Sequence, residues 1–296
     1  MTQTSDETTM RVVPSRRYGQ WISGALVVAV VAALIMAVAA SDSIRWNVIG
    51  TYLAYPRILA GLWTTIWLTI ASMVVGVVGG ALIAVMRMSS NVVLYAVSGV
   101  YVWLFRGTPL LVQILLWYNL ALFFPRIGLG EFSIDTNALV TPAAAAFLAL
   151  ALNEAAYMAE IIRGGILAVS HGQREAGAAL GMPDRVIMSR IVMPQALKVV
   201  VPPAGNELIT LLKMTSLVAV IGAGDLLTNA QSIGTRDFTP MEMLLVATVW
   251  YLVLTTLATY GQYLLEQRLL RSSRQQPQQL FLRKLLRNLT PDRVRI

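Results

Sequence analysis

Phe105-Arg106-Gly107-Thr108-Pro109-Leu110-Leu111-Val112-Gln113 interrupts an apolar stretch that runs from Val92 to Phe124, and the fold turns on how this interruption is read. Taken as one helix, those 33 residues would rise about 50 Å, against a hydrocarbon core of about 30 Å. Pro109 removes a backbone donor and Gly107 is flexible, so the helix either kinks here or breaks into two elements.

The surrounding composition supplies the reason for thinking in terms of a bilayer. Of 296 residues, 56% are hydrophobic and only 13% charged, with a mean hydropathy of +0.65. A soluble domain carries about 25% charged residues, so this chain has too little polar surface to face water all round. Further apolar runs cover Trp21 to Ala40, Ile58 to Met86, Thr141 to Ile166, Pro203 to Gly222 and Met241 to Leu265. The first follows Arg11, Arg16 and Arg17 and ends near Ala37-Val38-Ala39, which resembles a signal cleavage site. Its length exceeds the 7 to 15 or so residues of a signal core and favours an uncleaved helix.

Parity then decides the interrupted stretch. If it crosses once, the chain has six spans, and Arg87, the Arg163 to Lys198 segment and the tail share the side of the N-terminus. That tail carries Arg268, Arg271, Arg274, Arg283, Lys284, Arg287, Arg293 and Arg295, while the opposite loops hold only Arg45, Arg57, Arg126 and Arg236. Two crossings would put the basic tail outside, against the positive-inside rule. The expectation is an all-α membrane protein of about six spans in the cell membrane, with both termini cytoplasmic. The net charge of +8 is thereby assigned to topology, and nucleic acid is not an expected partner. For the tail, Leu280, Phe281, Leu285 and Leu286 beside its cations could lie on an anionic leaflet, though a solvated appendix is the simpler reading.

Cysteine is absent and His171 is the single histidine, which excludes disulfides, thiolate sites and a His-based metal cluster. No cofactor is expected. The chain contains no Gly-x-x-x-x-Gly-Lys-Ser/Thr run, no Gly-x-Ser-x-Gly and no His-Glu-x-x-His. ATP chemistry would have to come from a partner, and no motif argues for an enzyme.

One polar segment stands out. His171 to Asp184, continuing to Pro194, reads as two short helices: Glu175 to Leu180 is helix-forming, Gly181 suits a left-handed cap, Pro183 and Asp184 suit a new first turn, and Pro194 ends it. Such an elbow can seat in a groove on another protein. The pattern Glu175-Ala176-Gly177, Gly181, nine residues, Ile191 and then Pro194 resembles the cytoplasmic EAA loop (about 170–195) of ABC importer permeases, with Gly177 and Met193 where Ala and Leu are common. Phe105 to Gln113, Ala156 to Gly165 and Asn206 to Leu217 narrow the resemblance to the polar amino-acid permeases of the histidine, glutamine and arginine type. Met214 stands where an Asp is frequent.

The resemblance covers about Ile58 to Leu265 and implies a type I importer permease core of five helices, preceded by one extra span. The expected organisation is 1–20 cytoplasmic, 21–57 first span and loop, 58–266 transmembrane core and 267–296 basic tail. It implies a dimer with a second permease subunit, two cytoplasmic ABC ATPase subunits and an extracytoplasmic solute-binding protein that delivers an amino acid. Glu175, Ala176, Gly177 and Gly181 are then coupling residues. The rival is an ATPase-independent channel or secondary transporter for small polar solutes.

Solute contacts are sought among polar residues at mid-membrane, where burial of charge costs about 2.5 to 3.5 kcal/mol. Asn153 and Glu154 lie near the middle of the Thr141 to Ile166 run, and Tyr157 falls on the same arc. A carboxylate there can accept from an ammonium or guanidinium, which points to a polar or cationic amino acid. Arg106, Glu160, Arg163, Glu207 and Lys213 are expected to gate or brace, Lys213 pairing with Glu207 or a neighbouring carboxylate. Gly76 and Gly80 form a small-residue face suited to close helix packing.

Overall fold

A computed structural model of the chain describes residues 18–41, 44–128 and 133–271. The basic tail beyond Arg271 and the first arginines lie outside the described residues. The chain divides at Arg45/Trp46 into two units. The first holds helix α1, Tyr18–Ala39, whose 22 residues rise about 33 Å. Its stretch Ile22–Leu34 counts among the shorter apolar helices.

The second unit runs α2 (Trp46–Leu53), α3 (Pro56–Arg87), α4 (Val92–Gly107), α5 (Leu110–Tyr118), a 3-10 turn, the antiparallel pair β1 (Arg126–Ile127) and β2 (Ile134–Asp135), and α6 (Thr136–Leu139). Then follow α7 (Pro142–Leu167), α8 (His171–Ala179), α9 (Asp184–Ile187), a π-helical segment Met188–Val192, α10 (Met193–Met214), a 3-10 segment, α11 (Leu226–Arg236) and α12 (Pro240–Arg271). Among the described residues four helical stretches are long and apolar enough to span, or five with α4 and α5 counted as one.

Helix α7 occupies the centre. Its alanines 145, 146, 149, 155, 156 and 159 are buried, and α3 lies along it. A Cβ at Gly76 would sit 2.5 Å from Glu154 Cγ, and one at Gly80 2.6 Å from Met158 Cβ and 2.9 Å from the Ala159 amide. Moving four residues along α3 moves four along α7 in the same sense, so the two helices are parallel. Their intervening chain must therefore return to the starting side, which requires one net crossing between Met88 and Thr141.

The interruption supplies that crossing in bent form. Helices α4 and α5 meet at 103°, with Thr108 and Pro109 both extended. Of the two sequence alternatives, the break prevails over the kink, because Pro109 and its predecessor are held outside the helical region. We call the end where α3 and α7 finish the elbow side and the opposite end the far side.

One expectation is corrected. Pro194 does not end the second elbow helix; α9, the π segment and α10 continue as one helical stretch from Asp184 to Ile221. Pro194 falls in the first turn of α10, and the wide π turn, in which the Met193 amide reaches the Met188 carbonyl, absorbs the proline's missing donor. Pro202 and Pro203 lie inside α10, where Gln262 of α12 donates to the Pro202 carbonyl at 3.2 Å.

At the far side, α2 belongs with the core. Tyr52 donates to Asp237 Oδ2 at 2.6 Å, Arg236 donates to both Asp237 oxygens, and the Trp250 indole donates to the Leu53 carbonyl at 2.9 Å. The bonds from Arg236 and Tyr52 hold the Asp237 carboxyl down to about 2, and the bond to Asp237 raises the Tyr52 hydroxyl above its ordinary value. A carboxyl depressed on folding stabilises above its unfolded value near 4 and loses that contribution as pH falls toward 2. Hydrogen exchange of α2, measured relative to α3, should therefore accelerate between about pH 4 and pH 2, and Asp237→Asn should show fast exchange at neutral pH as well.

Gly80→Val should cost about 1 to 3 kcal/mol by overpacking the α3–α7 seam. Gly261→Ala, with open space around its site, should leave thermal stability in detergent unchanged.

Candidate functional site

Glu154 is the thirteenth of the 26 residues of α7, midway along the helix, and is 4% exposed. Its stem passes over Gly76, where no other residue leaves room. Its Oε1 is buried and makes no hydrogen bond. Glu207 of α10, half-buried, acts on it electrostatically. A buried carboxylate oxygen without a donor forfeits its hydration uncompensated, so this position is costly unless a donor arrives.

Asn153 is turned to a different task. Its Nδ2 donates to the Phe105 carbonyl at 2.9 Å and to Gln113 Oε1 at 3.2 Å. Gln113 Nε2 in turn donates to the carbonyls of Phe105 and Thr108 and to Thr108 Oγ1. These two amides take up carbonyls that the α4–α5 break leaves without helical partners. Tyr101 adds a bond from its hydroxyl to the Leu152 carbonyl at 2.7 Å. The break is thus bolted to the middle of α7, one residue from Glu154. Gln113 stood in the sequence as part of a family stretch only, since nothing in its spacing shows which carbonyls will be left open.

Around this bolt, the Arg106 guanidinium lies 5.1 Å over the half-buried Tyr157 ring and exerts its field on Glu160 and Glu207. Arg106 is exposed, at the last turn of α4. Toward the elbow side Glu160 pairs with Arg163 at 2.7 Å and with Arg87 of α3 at 3.3 Å, and Arg87 covers the Tyr95 ring of α4 at 5.6 Å. This cluster ties together α3, α4 and α7. Lys213 is exposed and makes no ion pair with Glu207. That part of the sequence reading is corrected: Lys213 lies near the end of α10, nearly two turns beyond Glu207.

The elbow forms as two short helices. Gly181 adopts φ +70, its amide donates to the Ala178 carbonyl and the Met182 amide donates to the Gly177 carbonyl. Gly177 is buried, and a Cβ there would lie 3.0 Å from Ile187 Cγ1, so the smallest residue brings α8 closest to α9. Glu175, Ala176 and Leu180 point outward, Leu180 being 80% exposed. Below them Ile166, Val169, Ile187, Val192 and Ala196 form one apolar cluster that joins the elbow to α7 and α10.

Comparison with known proteins bears on this arrangement. The family described as binding-protein-dependent transport system inner membrane component matches residues 76–271. The arginine transport system permease protein ArgU of Corynebacterium glutamicum is 44% identical over 256 residues, 86% of this chain and 81% of that protein. The arginine transport system permease protein ArtQ of Bacillus subtilis is 37% identical over 214 residues, 72% of this chain and 93% of that protein. The crystal structure of an amino acid ABC transporter with histidines matches with a TM-score of 0.66 at 36% identity, covering 76% of this chain and 99% of that one. The matched region holds the α4–α5 break, Glu154 and the whole elbow, and this multi-pass membrane chain belongs to the binding-protein-dependent transport system inner membrane components, among the permeases of amino-acid ABC importers.

Proposed function

We propose that this subunit imports amino acids, with preference for cationic ones, and that ATP is hydrolysed on separate cytoplasmic subunits seated on the elbow. The observation that carries the substrate reading is Glu154: a carboxylate at mid-helix with one oxygen buried and unbonded. An α-ammonium, guanidinium or lysine ammonium is the group that such an oxygen can accept from. Tyr157 follows three residues along α7, and Arg106, whose guanidinium lies over the Tyr157 ring, offers a cation to the α-carboxylate of any amino acid. Asn153, with its amide donated to Phe105 and Gln113, positions the site rather than touching solute. Glu160, Arg163 and Arg87 brace the elbow side.

Coupling falls to Glu175, Ala176, Gly177 and Gly181. The elbow is continuous with α10 through the π segment, so a displacement of α9 reaches Glu207 along a single helical stretch. In this reading the elbow side is cytoplasmic, both termini share it, a solute-binding protein approaches the far side, and a second permease subunit completes the passage. The ArgU and ArtQ names support the cationic preference, and the absence of a phosphate-cradling loop in the sequence supports separate ATPases.

Vesicle uptake of a labelled amino-acid panel, with and without the ATPase and ATP, tests the reading. Uptake should require both and favour arginine, lysine or histidine; uptake indifferent to ATP would transfer the chain to the channel class. Glu154→Gln should lower uptake of cationic amino acids by about tenfold, the worth of about 1.4 kcal/mol, with insertion and ATPase assembly intact. Unchanged kinetics would remove Glu154 from the solute path. Asn153→Leu should instead lower thermal stability by about 1 to 3 kcal/mol, because Gln113 Oε1 is left buried without its donor. Glu175→Lys and Gly181→Asp should abolish ATP-driven uptake while the spans still insert.

A further inference from the structure

Helix α8 is joined to α7 by only three residues, Ala168 to Ser170, and a second connection runs beside the chain. Arg174, half-buried in the first turns of α8, donates from Nη2 to the Ile166 carbonyl at 3.0 Å. Ile166 is in the last turn of α7, whose carbonyls have no helical donor and carry the negative end of the helix dipole. A guanidinium is suited to that place by charge and by the fixed geometry of its donors. The arginine reaches inward, since its Nε is buried as well.

Among the described residues, the other polar contacts of α8 stay within the elbow, and its remaining contact with α7 is apolar. Gly177 rests on Ile187 and Ile191, and the Met182 amide closes on the Gly177 carbonyl, so these tie α8 to α9 and the stretch that becomes α10. The cluster of Ile166, Val169, Ile187, Val192 and Ala196 does touch α7, but apolar packing is non-directional and lets surfaces slide. A charge-assisted hydrogen bond fixes both a distance and a direction. Beside the short chain link and the apolar cluster, directed connections therefore leave the elbow through the π segment to α10 and Glu207, and through Arg174 to α7 and Glu154.

We infer that Arg174 is a positioning residue that makes α8 and α7 move as one body, so that a push on the elbow reaches the helix bearing Glu154 as well as the helix bearing Glu207. The inference rests on the elbow being the seat of the ATPase. Without Arg174 the elbow holds α7 only through the Ala168 to Ser170 link and the apolar cluster, and α7 lags behind α10 in the cycle. ATP is then hydrolysed with fewer solutes carried.

The test uses the complete transporter reconstituted in vesicles, with labelled arginine as the probe, and reads arginine moved per ATP hydrolysed. Arg174→Ala should lower that ratio about fivefold or more, with ATPase retention and melting temperature unchanged, and Arg174→Lys should restore part of it. A ratio for Arg174→Ala within about twofold of the parent overturns the inference. So does a loss that follows ATPase retention, which would make Arg174 a docking residue. If Arg174→Ala does not assemble, Arg174→Gln, which keeps an amide donor on a shorter stem, is judged by the same criteria. Parent uptake that needs neither ATPase nor ATP would remove the elbow reading itself, whereas ATP-dependent uptake with an unaltered ratio in the variant removes Arg174 alone.

Discussion

The close approach of α3 to α7 is the constraint on which the rest of the molecule depends. Glycines 76 and 80 present bare backbone to Glu154 and Met158, and a methyl group at either place would overlap α7. In lipid, where tails are as apolar as leucine, helices gain by packing rather than by escaping water, and small residues permit that packing. The seam also sets the direction of the chain. Because α3 and α7 run parallel, everything between them must amount to one crossing, and the bent pair α4–α5 is the form that crossing takes.

From the same seam follows the placement of the carboxylate. The space that Gly76 leaves is filled by the Glu154 stem, so an ionisable residue is held at mid-helix without room to withdraw. One residue earlier, Asn153 is tied to the α4–α5 break, which fixes the rotation of α7 at that level. Packing, polar satisfaction of a broken helix and burial of a carboxyl oxygen without a donor are thus neighbouring consequences of one helix contact. Toward the elbow side Glu160 is paired with two arginines, whereas Glu154 Oε1 has no partner, and the proposed division between bracing and binding rests on that difference.

Much of this was legible in the chain. The runs Ile58 to Met86 and Thr141 to Ile166 differ from α3 and α7 by a residue or two at each end, because apolar length and flanking proline set helix limits locally. The elbow, with Gly181 left-handed, was readable because a C-terminal glycine cap depends on a single residue's φ. Pro194 misled, since a proline ends a helix or opens one according to the turn before it, and the π segment that accommodates it has no residue signature of its own. The Glu207–Lys213 pairing failed for a related reason: sequence proximity on a helix does not say which side chains a third helix will cover.

The sequence by itself determined that the chain lives in a bilayer, where α3 and α7 begin and end, and that a two-helix elbow with a left-handed glycine follows α7, because these follow from local hydropathy, charge and backbone freedom. Only the tertiary structure decided that Asn153 donates to the α4–α5 break while Glu154 Oε1 is left unbonded, that α4 and α5 meet at 103°, and that Arg174 reaches the end of α7. Those outcomes depend on which carbonyls and which glycine faces are brought opposite one another by helices far apart in the chain, and no residue carries that information alone.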